Sequence, residues 1–351
     1  MKKKFWLFLF LILLCTIVVI IFKLDLFKHD KKVISTTSSL YDNAKSSIAM
    51  DVTTKRILYQ NNIYERMLPA STTKILTCIT AIETYALDDF VVITDDALQA
   101  TGSSIYLEVG DVISVNDLLY GLMLRSGNDA ANALALHYSG KMEDFVYLMN
   151  KLAKKIGMHN STFENPHGLD ETSKNYTTTY DMALLMSYAM QNETFRKITS
   201  TKEYNPTIIS HKKMYFFNKH QLVINNELVT GGKTGYTKLA KRTLVTTFKK
   251  DDFEIVVVTF NCSDDWNVHE NIAKYCFNKY SQKQLLSKFD VLFAISGKSH
   301  YIIEKENLLV PVTKEEELSY KIFEQDNELT ICYYTEEKMI CNVKFRSRKD
   351  E

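Results

Sequence analysis

Lys74 stands where a chain rarely puts a charge: it follows Ser71-Thr72-Thr73 and heads the apolar run Ile75, Leu76, Cys78, Ile79, Ala81, Ile82 and Tyr85. That run is apolar on nearly every face, which predicts a buried helix beginning at about Ser71. A lysine entering a core at its first turn needs a reason, because an unpaired buried charge is costly. Residues at i and i+3 share a helix face, so Lys74 reaches the Ser71 hydroxyl. Burial disfavours the ammonium form and suits the amine to act as a base near neutral pH. The free N–H groups of the helix start offer a place for an oxyanion. A hydroxyl with a base beside it is what an acyl-transfer nucleophile requires.

Two further motifs follow in order. Ser126-Gly127-Asn128 separates the amphipathic stretch Val115 to Leu124 from the Ala/Leu-rich stretch Asp129 to Tyr138. It reads as a tight turn between helices that presents a hydroxyl and an amide to a shared cleft. Lys233-Thr234-Gly235 stands in Gly231-Gly232-Lys233-Thr234-Gly235-Tyr236-Thr237, ahead of two β-rich runs, Thr243 to Phe248 and Phe253 to Phe260, joined by Lys249 to Asp252. The glycines mark a strand whose backbone something approaches closely. A peptide can add to such an edge, with Lys233 as a point charge facing its carboxylate.

Each motif alone is weak, and the chain contains decoys. Ser210-His211-Lys212-Lys213 repeats the first spacing without an apolar helix behind it. Ser114-Val115-Asn116 repeats the second, where helix capping explains both polar residues.

Several stretches surround the motifs in a recognisable order: Ile48-Ala49-Met50-Asp51, Pro69 to Lys74, Leu124 to Asn132, Asn165-Pro166-His167-Gly168-Leu169-Asp170 and Gly232 to Thr237. From about Ser46 to about Tyr280 the chain resembles the serine D-alanyl-D-alanine carboxypeptidases, the low-molecular-mass penicillin-binding proteins. The resemblance implies that Ser71 is acylated, Lys74 is its general base and Ser126 relays the proton. It implies that Asn128 binds the substrate amide and that Lys233, with Thr234, holds the terminal carboxylate. Gly235 belongs to the same motif, and backbone N–H groups of Ser71 and Tyr236 form the oxyanion hole. The implied substrate is a peptidoglycan pentapeptide ending in D-Ala-D-Ala, with β-lactams as acylating inhibitors. A β-lactamase shares the motif set, and Glu164 is the residue to examine for that alternative; a non-catalytic wall-binding protein is disfavoured by the retention of both Ser71 and Lys74.

The expected architecture is α+β. An antiparallel sheet, with a hairpin over Ser46 to Gln60 and the later pair, is flanked by helices. A helical subdomain spans about 115–125, 129–138, 142–156 and 178–190, and a last helix about 266–282. The domain expectation is a transmembrane signal-anchor over 1–27, a tether over 28–43, a catalytic domain over 44–284 and a small β domain over 285–351. The anchor rests on Lys2-Lys3-Lys4 ahead of Phe5 to Phe22, eighteen residues without a charge, which at ~1.5 Å each span roughly 27 Å. The expected location is thus the cell membrane, single-pass; the flanking lysines do not fix the orientation, and the peptidoglycan substrate that the resemblance implies places the catalytic part outside.

With 43 basic and 42 acidic side chains, no charge imbalance favours nucleic acid. The eight histidines show no metal-ligand spacing, so no metal or cofactor is expected; His137 reads as packing and His167 as shaping a loop near the cleft. Cys332 and Cys341 resemble a hairpin disulfide, but the apolar alternation places Cys341 inward and Cys332 outward, predicting free thiols.

Overall fold

The structure, a computed structural model, describes residues 40–172, 174–207, 213–286, 291–293, 300–302, 308–325, 328–336 and 338–346. The expected anchor, most of the tether and the decoy serine Ser210 lie outside the described residues. Among those described, no helix is long and apolar enough to cross a membrane.

Five strands form the principal sheet: β1 (Ser46–Asp51), β2 (Ile57–Asn61), β7 (Val229–Thr237), β8 (Lys241–Lys250) and β9 (Phe253–Phe260). They run antiparallel in the order β2-β1-β9-β8-β7, which leaves β2 and β7 as edges. Every residue of β9 is buried, as its unbroken apolar run requires of a strand covered on both faces. Alternation divides that cover. Val245, Val256 and Val258 join the core that contains helix α1 (Lys74–Thr84), whereas Thr246 and Thr259 turn to the opposite face, where helix α8 (Asp265–Lys279) lies.

The helical part contains α2 (Val115–Tyr120), α3 (Asn128–Ser139), α4 (Met142–Ile156), α5 (Thr179–Ala189) and α6 (Glu193–Ser200). A short α7 (Gln221–Asn225) precedes β7, and the small hairpins β3 (Phe90–Val92)/β4 (Val112–Ser114) and β5 (Glu203–Tyr204)/β6 (Phe216–Phe217) trim the surface. The stretch expected as one helix over 115–125 changes type: after α2 the backbone widens into a π-turn, Gly121–Arg125. Ser114 caps α2 by accepting from Asp117 N, and Asn116 donates to the Tyr204 hydroxyl, so the second decoy is a cap.

After α8 the chain builds separate small sheets. β10 (Ser281–Leu286) pairs with β13 (Leu308–Val312), β11 (Val291–Phe293) with β12 (His300–Ile302), and β14 (Leu318–Gln325), β15 (Glu328–Thr335) and β16 (Lys338–Arg346) form a third. Leu329, Ile331 and Tyr333 pack with Val310 and Val312. Arg56, in the β1–β2 hairpin, donates to Pro311 O and pairs with Glu316, joining these strands to the principal sheet. Cys332 is a free thiol opposite Asn342, while Cys341 stands opposite Tyr333, so the two cysteines are not register partners. Cys332 is nonetheless buried, against the outward exposure expected. β15 is the central strand, and Lys321 and Asn342 flank that position.

Candidate active site

Ser71 does not begin an α-helix as the apolar run suggested. It lies in a 3-10 turn, Ala70–Thr73, and α1 starts at Lys74. Thr72 tightens the turn by donating through Oγ1 to Pro69 O at 2.7 Å, and Ala70 adopts a positive φ of 48°. With three residues per turn, i and i+3 eclipse, which sets Lys74 directly beneath Ser71.

The Lys74 amine is fully enclosed. Its Nζ lies 3.0 Å from Ser71 Oγ, 2.7 Å from Asn128 Oδ1 and 2.7 Å from the carbonyl oxygen of His167. Burial drives its pKa well below the ordinary lysine value, helped by the charges of Lys233 and Lys219 and opposed by Asp129. The Asn128 orientation is fixed because its Nδ2 donates to Thr101 O at 2.6 Å. Asn128 Oδ1 and His167 O can only accept. A neutral amine has two N–H bonds and one lone pair; spending both hydrogens on those acceptors turns the lone pair toward the Ser71 hydroxyl. Asn128 thus joins Lys74 to the Thr101 backbone through its two amide atoms.

The Asn165–Asp170 loop supplies the third contact to Lys74. Asn165 Oδ1 accepts from Gly168 N, and Asn175 donates both to Asn165 O and to Thr73 Oγ1. Gly168 has φ +89°, and a Cβ there would fall 1.8 Å from Ala70 O, so only glycine lets this loop close on the nucleophile turn. His167 is held neutral, its pKa lowered to about 3 by burial and then by Lys74; its Nδ1 accepts from Leu169 N. Glu164 is exposed and accepts from Lys174 N, so it is not poised over Ser71 as a deacylating base.

Ser126 follows the π-turn in a left-handed conformation, φ 63° and ψ 33°, uncommon for a residue with a Cβ. The turn is held by Asp129, which accepts from Ile105 N and Leu107 N, and by Asn128 N, which donates to Ser103 O at 2.7 Å. Lys219 reaches the same segment through Nζ to Ser103 Oγ at 3.2 Å.

On β7, Lys233 is buried, and its Nζ donates to Thr234 O at 3.0 Å. Burial, reinforced by Lys219, lowers its pKa to about 7. Gly235 lets β7 run against the nucleophile: a Cβ there would lie 2.4 Å from Thr243 Oγ1 and 2.9 Å from Ser71 N. Thr199, on α6, occupies the outer edge at Gly232, donating to its carbonyl at 3.0 Å and accepting from its N–H at 2.9 Å. Outward-facing groups alternate along an antiparallel strand, so Thr234 and Tyr236 carry theirs on the same open edge as Gly232. The close approach that the glycines predicted is made by the protein itself, by Thr199 at Gly231 and by His220 at Gly232, as well as by Ser71 at Gly235. Neither Thr199 nor His220 lies in a recognisable motif. Among the described residues, no group of three or more His, Cys, Asp or Glu is placed to hold a metal.

Residues 33–264 match the family model described as D-alanyl-D-alanine carboxypeptidase. The D-alanyl-D-alanine carboxypeptidase DacF of Bacillus subtilis is 31% identical over 329 residues, 84% of each chain. DacC of Escherichia coli, also named a D-alanyl-D-alanine carboxypeptidase, is 35% identical over 251 residues, 67% of this chain and 61% of that one. Penicillin binding protein 5 from Haemophilus influenzae shares the fold with a TM-score of 0.73 over 88% of this chain and 97% of its own, at 23% identity. A D-alanyl-D-alanine carboxypeptidase from Mycobacterium tuberculosis gives 0.66 over 70% and 95%, at 26% identity. Likeness sustained over that much sequence, around a serine and lysine so arranged, assigns the chain to the D-alanyl-D-alanine carboxypeptidase family of serine-type peptidases.

Proposed function

We propose that this chain removes the terminal D-alanine from peptidoglycan stem peptides through an acyl-enzyme on Ser71, and that penicillin acylates the same oxygen. The observation that carries the reading is the enclosure of Lys74, whose Nζ lies 3.0 Å from Ser71 Oγ and 2.7 Å from both Asn128 Oδ1 and His167 O. The lone pair takes the Ser71 proton as Oγ attacks the carbonyl of the scissile bond. The oxyanion is received by the N–H groups of Ser71 and Tyr236. Lys233 and Thr234 hold the C-terminal carboxylate, and Gly235 leaves room for the strand edge beside Ser71. Ser126 returns a proton to the departing amine, and water then releases the acyl group.

The test is release of D-alanine from a D-Ala-D-Ala peptide by the full chain and by Ser71→Ala. The variant should release none; release at the wild-type rate would remove Ser71 from its role. A β-lactamase reading is disfavoured by Glu164, which is engaged with Lys174 N. A long-lived penicilloyl-enzyme is expected, and rapid penicillin turnover would reverse that preference.

The membrane anchor belongs to the same proposal. The uncharged run Phe5 to Phe22 crosses the bilayer once, with the catalytic part outside, where peptidoglycan lies. Alkaline carbonate should leave the protein in the membrane fraction, and protease added to spheroplasts should degrade its catalytic part; release or protection would refute the placement.

A further inference from the structure

Behind Lys233, on the face of the sheet turned away from Ser71, lies a buried polar chain that the reaction as described does not use. It begins at His220, the residue that caps α7. The imidazole sits against Gly232: a Cβ on that glycine would fall 2.4 Å from His220 Nε2. Val223 N–H donates to His220 Nδ1 at 3.3 Å, so the ring hydrogen resides on Nε2. That hydrogen faces Val245 O at 3.1 Å and Thr246 Oγ1 at 3.1 Å. Val245 is the residue opposite Lys233 in the β7–β8 register, and Thr246 is opposite Gly232. Thr246 Oγ1 continues to His269 Nδ1 at 2.9 Å, and His269 Nε2 to Thr259 Oγ1 at 2.9 Å, anchoring the chain in α8 and β9. Both imidazoles are inaccessible to solvent. Burial holds each neutral.

Gly232 is thus gripped twice, at its backbone polar groups by Thr199 and at its Cα by His220, immediately before the lysine that meets the substrate. We infer that Thr199 and His220 are positioning residues that set the place of Lys233, and that the Thr246–His269–Thr259 chain braces His220 for this task. The inference rests on the reading that Lys233 receives the substrate carboxylate. An edge strand held on one side only by β8 has freedom to shift, and a point charge displaced by about 1 Å loses much of its effect on an oriented ligand.

The experiment compares acylation of the full chain by benzylpenicillin and by its methyl ester, which lacks the free carboxylate. The ratio of the two second-order rate constants reports what Lys233 contributes. Wild type should prefer the acid, and Lys233→Ala should abolish the preference; if it does not, the Lys233 reading itself fails. Given that preference, Thr199→Val and Thr246→Val, which keep side-chain volume, should each reduce the ratio, Thr199→Val by about tenfold, equivalent to ~1.4 kcal/mol. Ester acylation should stay within about threefold of wild type, since a ΔΔG below ~0.7 kcal/mol is expected there. His220→Ala should reduce the ratio further, and His220→Gln, which retains an N–H donor, should recover part of it. Variants that fold and keep the wild-type ratio would overturn the inference, as would equal losses toward acid and ester.

Discussion

Lys74 Nζ lies closer to Asn128 Oδ1, at 2.7 Å, than to Ser71 Oγ, at 3.0 Å. The base is therefore held by an amide as well as by its own turn, and the amide oxygen decides which way its lone pair faces. Asn128→Ala frees one amine hydrogen and should slow penicillin acylation on the order of a hundredfold with Ser71 and Lys74 intact. Asn128→Asp makes a different prediction. A carboxylate beside Lys74 favours the ammonium, so the acid limb of the acylation profile should move to higher pH. Stopped-flow acylation across pH 5 to 9 separates the two, and an unmoved limb in Asn128→Asp would contradict the role.

On the proposed mechanism, two lysines that act in opposite protonation states shape the pH profile of the free enzyme. Lys74 must be neutral to accept a proton, and burial has lowered its pKa well below the usual value, so activity falls at acid pH. Lys233 must be charged to hold a carboxylate, and its pKa of about 7 means that activity also falls as pH rises through neutrality. The second-order acylation constant should follow a bell. Lys233→Arg, whose guanidinium keeps its proton, should lift the alkaline limb while lowering the maximum. An alkaline limb unchanged in that variant would assign it to another group.

Gly168 closes the Asn165–Asp170 loop over the nucleophile turn at φ +89°. Gly168→Ala adds both left-handed strain and a collision with Ala70 O, and should cost about 3 kcal/mol of stability. Because the same loop presents His167 O to Lys74, acylation by penicillin should fall in the fraction that remains folded. Urea unfolding together with a penicillin titration checks both; a variant as stable and as reactive as wild type would show that the loop yields freely.

Acid should destabilise the protein through its buried histidines. His220 is buried with a folded pKa of about 3, and His269 is also lowered by burial. Below the ordinary value of 6.5 the unfolded chain takes up protons that the folded chain refuses. Stability is therefore complete above that pH and is lost as pH falls toward 3, at up to ~1.4 kcal/mol per pH unit for each histidine. Urea midpoints measured from pH 7 to 5 should decline, and less steeply in His269→Gln. A flat profile in wild type would mean that the rings protonate without cost.

The sequence made the parts of this site legible and left their arrangement partly hidden. Ser71, Lys74, Ser126, Asn128 and Lys233 stand in local patterns whose spacing implies contact or proximity, and the sheet-forming runs around β8 and β9 announce themselves by composition. What could not be read is long-range. Thr199 meets Gly232 across 33 residues, and His220 meets Thr246 across 26; single polar residues give no periodic signal. The 3-10 turn at Ser71 escaped because its cause is the approach of Gly168 and Gly235, not the local propensity of an apolar run. The contact of Asn128 Oδ1 with Lys74 Nζ, across 54 residues, is long-range in the same way.

The Thr199 plug has a consequence for the molecule in solution. β7 is an open edge of a five-stranded sheet, and bare edges invite strands from other molecules. Strands that pair stably usually run about five or six residues. Here Thr199 occupies the outward groups of Gly232, Lys233 Nζ already engages Thr234 O, and the strand ends at Thr237, so little of this edge is left to a visitor. A chain terminus can dock on so short a ledge; an intruding strand finds too little to hold. The hydroxyl of one threonine thereby shortens the run of backbone that an intruding strand could pair with.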